Sequence, residues 1–208
     1  MRRERILLAA LYLVSLAFPT AARAGDFHLG TGLGYGGAGI TKVEDVDGTK
    51  QSVKRSEGPG TITFYADYML SDVFSIGFEH LRGFRLGPAS SGVSFTGINT
   101  RWYFRTPAPT VAKASPTEST LLIKQFSFFV GLGSGFAGGN INRDDDLVPS
   151  LSASGAYFGF ILGADYALSP GVVLRPQITS YSTFSSSSKT SPASLSYFSF
   201  GASIYFFL

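Results

Sequence analysis

Two histidines, His28 and His80, are the first residues of this sequence that could do chemistry. A metal site needs several ligands at close spacing, and neither histidine has a second histidine or a cysteine near it in the chain. A serine hydrolase needs a serine beside a histidine that a carboxylate orients, and neither histidine has a serine close to it in sequence. We therefore expect no metal, no cofactor and no catalysis. A histidine and a serine that only the fold brings together remain the alternative.

Two glycine-rich runs resemble phosphate-binding loops, at residues 30–34 (GTGLG) and 131–135 (GLGSG). Such a loop must follow a strand and open a helix. Here the glycines alternate with larger residues inside predicted strands, so we interpret them as relief of crowding on one face. The acidic run Asp144-Asp145-Asp146 could hold a divalent cation, but a solvated loop tip is the simpler interpretation.

Five charged residues stand in segments that are otherwise apolar or small: Asp67, Glu79, Arg101, Asp165 and Arg175. Asp165 and Arg175 lie five residues either side of Pro170. A hairpin that turns at Pro170 would place the two side chains opposite each other on the same face. The sequence therefore predicts an ion pair between Asp165 and Arg175.

The other three charged residues fit the same scheme. Glu79 and Arg101 are nearly symmetric about the connection 85–92, and Asp67 repeats the position of Asp165 in the related segments ADYMLS and ADYALS. An unpaired charge in a narrow interior is costly, whereas a paired one is tolerated. We expect cross-strand ion pairs among these residues, with separate hydration of each charge as the alternative.

Eight segments that alternate large apolar residues with small or polar ones carry these charges, and a period of two is that of a β-strand. Pro176, inside the seventh segment, predicts a bulge or a break in pairing. The segments are 27–36, 61–70, 74–79, 98–104, 125–136, 157–166, 174–184 and 198–208.

The two faces of these segments differ in polarity. One face is aromatic and aliphatic, as in Ile62, Phe64, Phe128, Phe160 and Phe200, and the other carries glycine, serine and the charges. Apolar residues toward lipid and polar ones toward a lumen define a transmembrane barrel, which must close because lipid cannot solvate an open edge. The predicted fold is an all-β, closed, antiparallel up-and-down transmembrane β-barrel of about eight strands.

The connections between the segments alternate in length. Ser71-Asp72 and Ser169-Pro170-Gly171 predict tight turns. The connections predicted to be long and polar are 37–60, 85–92, 137–154 and 185–194, with mobile loops at Lys42–Glu57 and Ser185–Ser188. An even number of strands puts the short turns and both termini on the periplasmic side. The stretch 105–120 departs from this rule. Its place between the fourth and fifth segments calls for a short periplasmic turn, but its Pro/Ala/Thr-rich composition predicts a flexible link.

The beginning of the chain predicts export. Basic residues at 2, 3 and 5 precede an apolar run at 6–18 and the small-residue site Ala22-Arg23-Ala24. These are the three parts of a secretory signal peptide, and the apolar run is shorter than the roughly 20 residues of a helical span. We expect a signal peptide at 1–24, cleavage between Ala24 and Gly25, and a barrel domain at 25–208.

The composition agrees with this assignment. Residues 1–24 hold four of the 17 basic and one of the 14 acidic side chains, so the remainder carries 13 of each. A mature domain without net charge gives no reason to expect a nucleic-acid partner. The chain has no cysteine, while it has 19 Phe and 10 Tyr. A secreted domain without disulfides needs another source of stability, and burial in a bilayer is one such source.

The eight segments, the alternating connections and the C-terminal YFFL at 205–208 resemble the OmpA/OmpX-type family of small outer-membrane barrels. The resemblance implies the bacterial outer membrane, with membrane lipid, lipopolysaccharide and the barrel-assembly machinery as partners. It also implies an aromatic assembly signal in the last strand. The matching residues are Phe200, Gly201, Ile204 and Phe206, with Leu208 in place of the final phenylalanine.

The leading functional hypothesis is a structural or surface-interaction barrel without catalysis. The interior of an eight-stranded barrel is just wide enough for side chains, which favours a lumen plugged by the five charged residues. A narrow pore for small solutes and a lipid A-modifying enzyme are the alternatives. An unidentified ligand could bind the outer loops, and Asp144–Asp146 could hold divalent cations near lipopolysaccharide.

Overall fold

The computed structural model describes ten stretches of the chain: 27–47, 49–71, 73–84, 92–104, 110–112, 121–123, 126–141, 150–169, 172–184 and 192–207. Within these stretches no helix is long and apolar enough to cross a membrane. Five predictions fall outside the described residues: the signal peptide, its cleavage site at Ala24 and Gly25, Asp144–Asp146, Ser185–Ser188 and Leu208.

The described residues form eleven strands. Their bounds are β1 Phe27–Val46, β2 Thr49–Glu57, β3 Gly60–Ser71, β4 Phe74–Phe84, β5 Gly92–Tyr103, β6 Thr110–Ala112, β7 Leu121–Ile123, β8 Phe126–Ile141, β9 Leu151–Ser169, β10 Val172–Thr183 and β11 Ala193–Phe207. The order in the main sheet is β11-β10-β9-β8-β5-β4-β3-β1-β2, and β11 also pairs with β1. Eight antiparallel strands therefore close into a barrel wall, as predicted, and β2 extends it.

The strand register gives the tilt of this wall. Partners followed once around the barrel from His28 lead back to β1 at Ala38, ten residues further on, by way of Asp67, Gly77, Asn99, Gly133, Gly159, Tyr181 and Tyr197. Such a stagger in an eight-stranded barrel corresponds to strands tilted by roughly 40°. The interior is then narrow enough for side chains from opposite walls to touch.

The two ends of the barrel differ. The connections around residue 72 and residues 170–171 are short and lie at the same end as Phe27 and Phe207, the first and last described strand residues. In outer-membrane barrels the end with short turns is periplasmic. We call the opposite end, where β4 ends and β5 begins, the outer end.

The connection 37–60, predicted to be a long loop, is mostly strand. β1 continues to Val46 and pairs with β2, which runs almost directly into β3 past Gly58 and Pro59. The hydrogen bond from Gly36 N to Pro59 O, at 3.1 Å, holds the break between β2 and β3 against β1. The prediction of a mobile loop at 42–57 is therefore wrong. The alternation of apolar and polar residues is absent here, because this hairpin extends beyond the barrel wall and neither of its faces needs to be apolar.

Other predicted connections are also shorter than expected. β8 extends to Ile141 and β9 begins at Leu151, so strand residues occupy both ends of the predicted loop 137–154. Gly92 opens β5, and β11 begins at Ala193. The link 105–120 contains β6, which pairs with β7 in a small separate sheet. The alternation of apolar and polar residues weakens at strand ends that lie beyond the bilayer. The residue pattern therefore predicted strands that are shorter than the observed ones.

The outward face of the wall is mostly apolar along the strands, as predicted. Phe64, Phe128, Phe160 and Phe200 are each about half exposed or more, and Ile62 shares their orientation. The residues between them point inward and are buried, as in the alternating burial pattern of β10. Because lipid meets the exposed face, this pattern lets each strand cross a bilayer.

Pro176 interrupts pairing on one side of β10. On β9 the partners recorded on either side are Leu174 with Tyr166 and Gln177 with Gly163, and the ladder skips the residues between. Pro176 still lies opposite Ala202 on β11. The irregularity in register falls nearer the turn, between Val172 and Val173. A proline that lacks an N–H thus breaks only the local β9 ladder.

Lumenal glycines make room for tyrosine rings. A Cβ on Gly30 would lie 2.6 Å from the Cβ of Tyr205 and 2.7 Å from the Cε2 of Tyr65. Both tyrosines are buried in the lumen. Gly30 is therefore small because opposing side chains fill the space above it, and the interpretation as relief of crowding fits this geometry.

We expect Gly30→Val to destabilise the folded barrel by about 1–3 kcal/mol or more, the usual cost of overpacking. Thr31→Val is the matched control, because the neighbouring Thr31 faces outward on the same strand. The measurement is the urea midpoint for unfolding from lipid vesicles. Equal midpoints for the two variants would contradict this account of the lumenal glycines.

Candidate functional site

The five predicted charged residues all point into the lumen. They come from β3, β4, β5, β9 and β10, and each is at most 1% exposed: Asp67, Glu79, Arg101, Asp165 and Arg175. The alternation of each strand puts them there, because odd-numbered residues of these strands face inward. They occupy the half of the lumen nearer the periplasmic end.

Arg175 binds two carboxylates. Its Nε donates to Asp165 Oδ1 at 2.7 Å and its Nη2 to Asp165 Oδ2 at 3.0 Å, which makes a bidentate pair across the β9–β10 hairpin. Its Nη1 donates to Asp67 Oδ2 at 2.7 Å, on a strand across the lumen. Charge-assisted and bidentate bonds of this kind are among the strongest that side chains make.

Arg101 completes the set from the other side of Asp67. Its Nη1 donates to Asp67 Oδ1 at 2.5 Å, and its Nη2 reaches Glu79 Oε2 at 3.5 Å. Asn99 joins the two, since its Oδ1 accepts from Arg101 at 2.9 Å and its Nδ2 donates to Glu79 at 2.8 Å. The predicted association of Glu79 and Arg101 is thus a long contact supported by an amide.

The five charges form one continuous row that alternates in sign: Asp165, Arg175, Asp67, Arg101 and Glu79. Asp67 is the centre, because each of its oxygens accepts from a different arginine. We call this row the charge chain. Three carboxylates against two guanidinium groups leave the chain formally one negative charge in excess.

Aromatic side chains surround the charge chain. Hydroxyl groups of three tyrosines join it: Tyr103 accepts from Arg175 at 2.8 Å, Tyr181 donates to Glu79 at 2.9 Å, and Tyr205 donates to Asp165. The Cζ of Arg175 lies 4.3 Å from the centroid of the Tyr205 ring and 5.2 Å from that of Phe129. Rings at these distances stabilise buried cations by cation–π attraction.

Sequence reasoning did not find the tyrosines or Asn99. All four are inward-facing by the same alternation that placed the charges, so the signal was present in the faces: Asn99, Tyr103, Tyr181 and Tyr205. The tyrosines were not assigned to the site because tyrosine also fits a lipid interface. Asn99 was not assigned because its amide is neutral and charge pairing alone gives it no partner.

The lumen nearer the outer end is mostly apolar, with Thr61 and Thr183 among its buried polar residues. This differs from the predicted glycine-, serine- and charge-bearing interior. Phe95 is the hub of this part. Its ring centroid lies 5.0–5.3 Å from those of Tyr157, Tyr181 and Tyr197. Between Phe95 and the outer end, further apolar side chains are buried in the lumen: Ile40, Leu81, Val93, Ile141, Leu151 and Leu195. Tilted strands bring these side chains close enough to fill the opening.

The other candidate residues stay apart. His28 is buried in the lumen, with its ring 5.1 Å from that of Tyr205, while His80 lies on the outward face of β4. The two histidines are therefore on opposite sides of the wall. No group of three or more potential ligands that could hold a metal occurs in the described part of the chain.

The remaining predicted residues have simple positions. Both glycine-rich runs lie inside strands, β1 and β8, and neither opens a helix. Within the predicted assembly signal, Phe200, Ile204 and Phe206 face outward and are exposed. Gly201 faces the lumen.

Comparison with known proteins identifies the class. The family model of the outer membrane protein beta-barrel domain matches residues 8–206, so this chain belongs to that family and to the bacterial outer membrane. No curated protein matches the sequence.

Solved structures share the fold at low identity. Neisserial surface protein A is 11% identical, with a TM-score of 0.56 over 90% of this chain and 100% of that one. The outer-membrane protease OmpT of Escherichia coli is 9% identical, with a TM-score of 0.51 over 91% and 99%. OprG of Pseudomonas aeruginosa is 14% identical, with a TM-score of 0.50 over 90% and 99%. These similarities establish the barrel fold alone.

Proposed function

We propose that this protein is a non-catalytic outer-membrane barrel with a structural or surface-interaction role, and that its lumen is closed. The observation that carries the proposal is the charge chain. Five side chains from five strands bind one another across the interior, and each is at most 1% exposed. A chain of this kind braces the wall and occupies the space through which a solute would pass.

The apolar half of the lumen supports the same conclusion over a narrow pore. A conducting path needs polar groups or water along its whole length, as in the large porins. Here the packed rings around Phe95 would interrupt such a path between the outer end and the charge chain. Both the charge chain and the aromatic side chains around Phe95 would have to move before a solute could cross the lumen.

The disposition of the charges also favours a non-catalytic barrel over a lipid A-modifying enzyme. Hydrolysis by a serine needs a histidine oriented by a carboxylate at the surface that meets the substrate. The carboxylates of the charge chain are bound to arginines inside the barrel, whereas His80 faces lipid. His28 is buried at the periplasmic half, away from the outer leaflet.

The surface available for interaction lies at the outer end. The β1–β2 hairpin rises past β3 and exposes Lys50 and Lys54 on β2. We propose outer-membrane lipid and lipopolysaccharide as constant neighbours, the barrel-assembly machinery as the partner that reads β11, and the outer end as the place where any further ligand binds.

The test is ionic current across planar lipid bilayers. The folded protein, checked by its heat-modifiable mobility on gels, should insert and give no steady current at moderate voltage. A porin reconstituted in the same bilayers is the positive control. Steady, reproducible single-channel steps from the folded protein would favour the narrow pore and overturn the closed lumen.

A further inference from the structure

On the lipid-facing surface of the wall, one group of side chains combines a cation with hydrogen-bonding residues of two neighbouring strands. On β4 the outward-facing residues include His80 and Arg82, and on the neighbouring β5 they include Ser94 and Thr96. The register places His80 opposite Thr96 and Arg82 opposite Ser94, so the four side chains form a compact rectangle. We call this group the polar notch.

Arg82 is unusual among outward-facing residues. Below the β1–β2 hairpin, it is the only Asp, Glu, Lys or Arg on the outward face of the eight wall strands in their described residues. At similar positions near the outer end, other strands expose phenylalanines instead: Phe136, Phe158, Phe184 and Phe198. Arginine on the lipid face is expensive near the midplane and nearly free at the interface. Arg82 lies two residues from the outer end of β4, so its long side chain can extend toward the phosphate groups of the outer leaflet.

The other members of the notch are hydrogen-bonding groups. His80 Nδ1 and Thr96 Oγ1 are 2.7 Å apart, which fixes the imidazole and leaves Nε2 as the ring nitrogen that can meet a ligand. Ser94 Oγ donates to Gly138 O in a long bond of 3.4 Å. A guanidinium with an imidazole and hydroxyls beside it matches the oxygens of a phosphate.

Apolar residues frame the notch on the sides that meet lipid. Ile62 lies opposite Arg82 and Phe64 opposite His80 on β3, while Phe136 lies opposite Thr96 on β8. Phe78 and Ile98 lie beneath, toward the membrane centre, and are half exposed. Acyl chains would cover this frame while an anionic headgroup met Arg82, which is the arrangement that an amphiphilic ligand needs.

We propose that the polar notch binds a phosphate of lipid A in the outer leaflet. The commitment to lipid A follows from the position of the notch, because Arg82 lies near the end of β4 away from the tight turns, and this outer end faces the leaflet that contains lipopolysaccharide. The site is independent of the charge chain, so its test is separate from the current measurement.

The experiment titrates the purified, folded barrel in detergent with bis-phosphorylated lipid A and counts bound lipid by native mass spectrometry. Dephosphorylated lipid A and phosphatidylglycerol are the comparison lipids. We expect the parent to bind bis-phosphorylated lipid A at least about tenfold more tightly than either, as a charge-assisted hydrogen bond allows.

Arg82→Gln should abolish that preference, and Ser180→Gln, which places the same amide on the outward face of β10 away from the notch, should leave it unchanged. A parent without preference, an Arg82→Gln variant that keeps it, or equal binding of phosphatidylglycerol would overturn the proposal. Should Arg82→Gln lack the heat-modifiable mobility of a folded barrel, the preference of the parent among the three lipids decides the question alone.

Discussion

Arg175→Met should lower the free energy of unfolding from lipid vesicles by about 3–5 kcal/mol, the cost of breaking a buried ion pair from one side. Arg175 makes four hydrogen bonds, to two carboxylates and a tyrosine. Its removal takes away both charge-assisted hydrogen bonds to Asp165, which keeps the hydroxyl of Tyr205. Asp67 keeps Arg101 as its guanidinium partner within the described residues. Three carboxylates would then share one guanidinium group in a closed interior.

Arg82→Met is the matched control for this variant, since it makes the same substitution on the outward face. We expect its free energy of unfolding to change by less than about 1 kcal/mol, because among the described residues Arg82 has no buried carboxylate to strand. Trp102, the single tryptophan, is outward-facing and exposed, so its fluorescence reports insertion in both variants. Equal losses in Arg82→Met and Arg175→Met would contradict a special role for the lumenal arginine.

Phe64→Arg and Phe160→Arg should each cost about 2–4 kcal/mol of folding free energy in bilayers, as expected for arginine on the lipid face near the midplane. Both phenylalanines lie in the middle of their strands and are half exposed. The penalty arises from lipid, so it should grow as the acyl chains of the vesicles lengthen.

Two variants control for position. Phe184→Arg lies just past the outer end of β10 and should cost at most about 1 kcal/mol, since arginine is nearly free at the interface. Thr63→Arg faces the lumen, so its cost comes from crowding and should not follow acyl-chain length. If Phe64→Arg and Phe160→Arg both fold into membranes as well as the parent, the assigned register of the wall is wrong.

The wall strands were predictable because the bilayer imposes a simple rule on each of them. Lipid selects large apolar residues such as Phe128 and Phe200 on one face, and the alternate residues face the lumen, where glycine makes room for the charged and aromatic side chains. The rule ends where lipid ends. β2, with Lys50 and Lys54 exposed, satisfies its backbone by pairing with β1 and needs no apolar face, so alternation could not reveal it.

The charge chain was only partly predictable. Symmetry about a turn indicated that Asp165 and Arg175 would meet, because neighbours in a hairpin are set by local sequence. The bridge from Asp67 to Arg175 joins β3 to β10, which are far apart in the sheet order. A contact across the lumen depends on the tilt and stagger of all eight strands, and no local pattern contains that information.

The apolar filling escaped prediction for a related reason. Phe95 and Val93 precede the segment recognised as the fourth strand, and Ile40 and Leu151 lay in stretches interpreted as loops. Each residue alone resembles an ordinary apolar side chain near a strand end. Only closure of the barrel brings them together over the charge chain.

The coupling energy between Arg175 and Asp165 tests the braced lumen most directly. The measurement is a double-mutant cycle of Arg175→Met and Asp165→Leu, followed by urea unfolding from lipid vesicles. We predict that Arg175→Met alone is less stable than the double variant, with a coupling of about 1–3 kcal/mol, because the second change removes the stranded carboxylate. Additive losses without coupling would show that this pair does not brace the barrel.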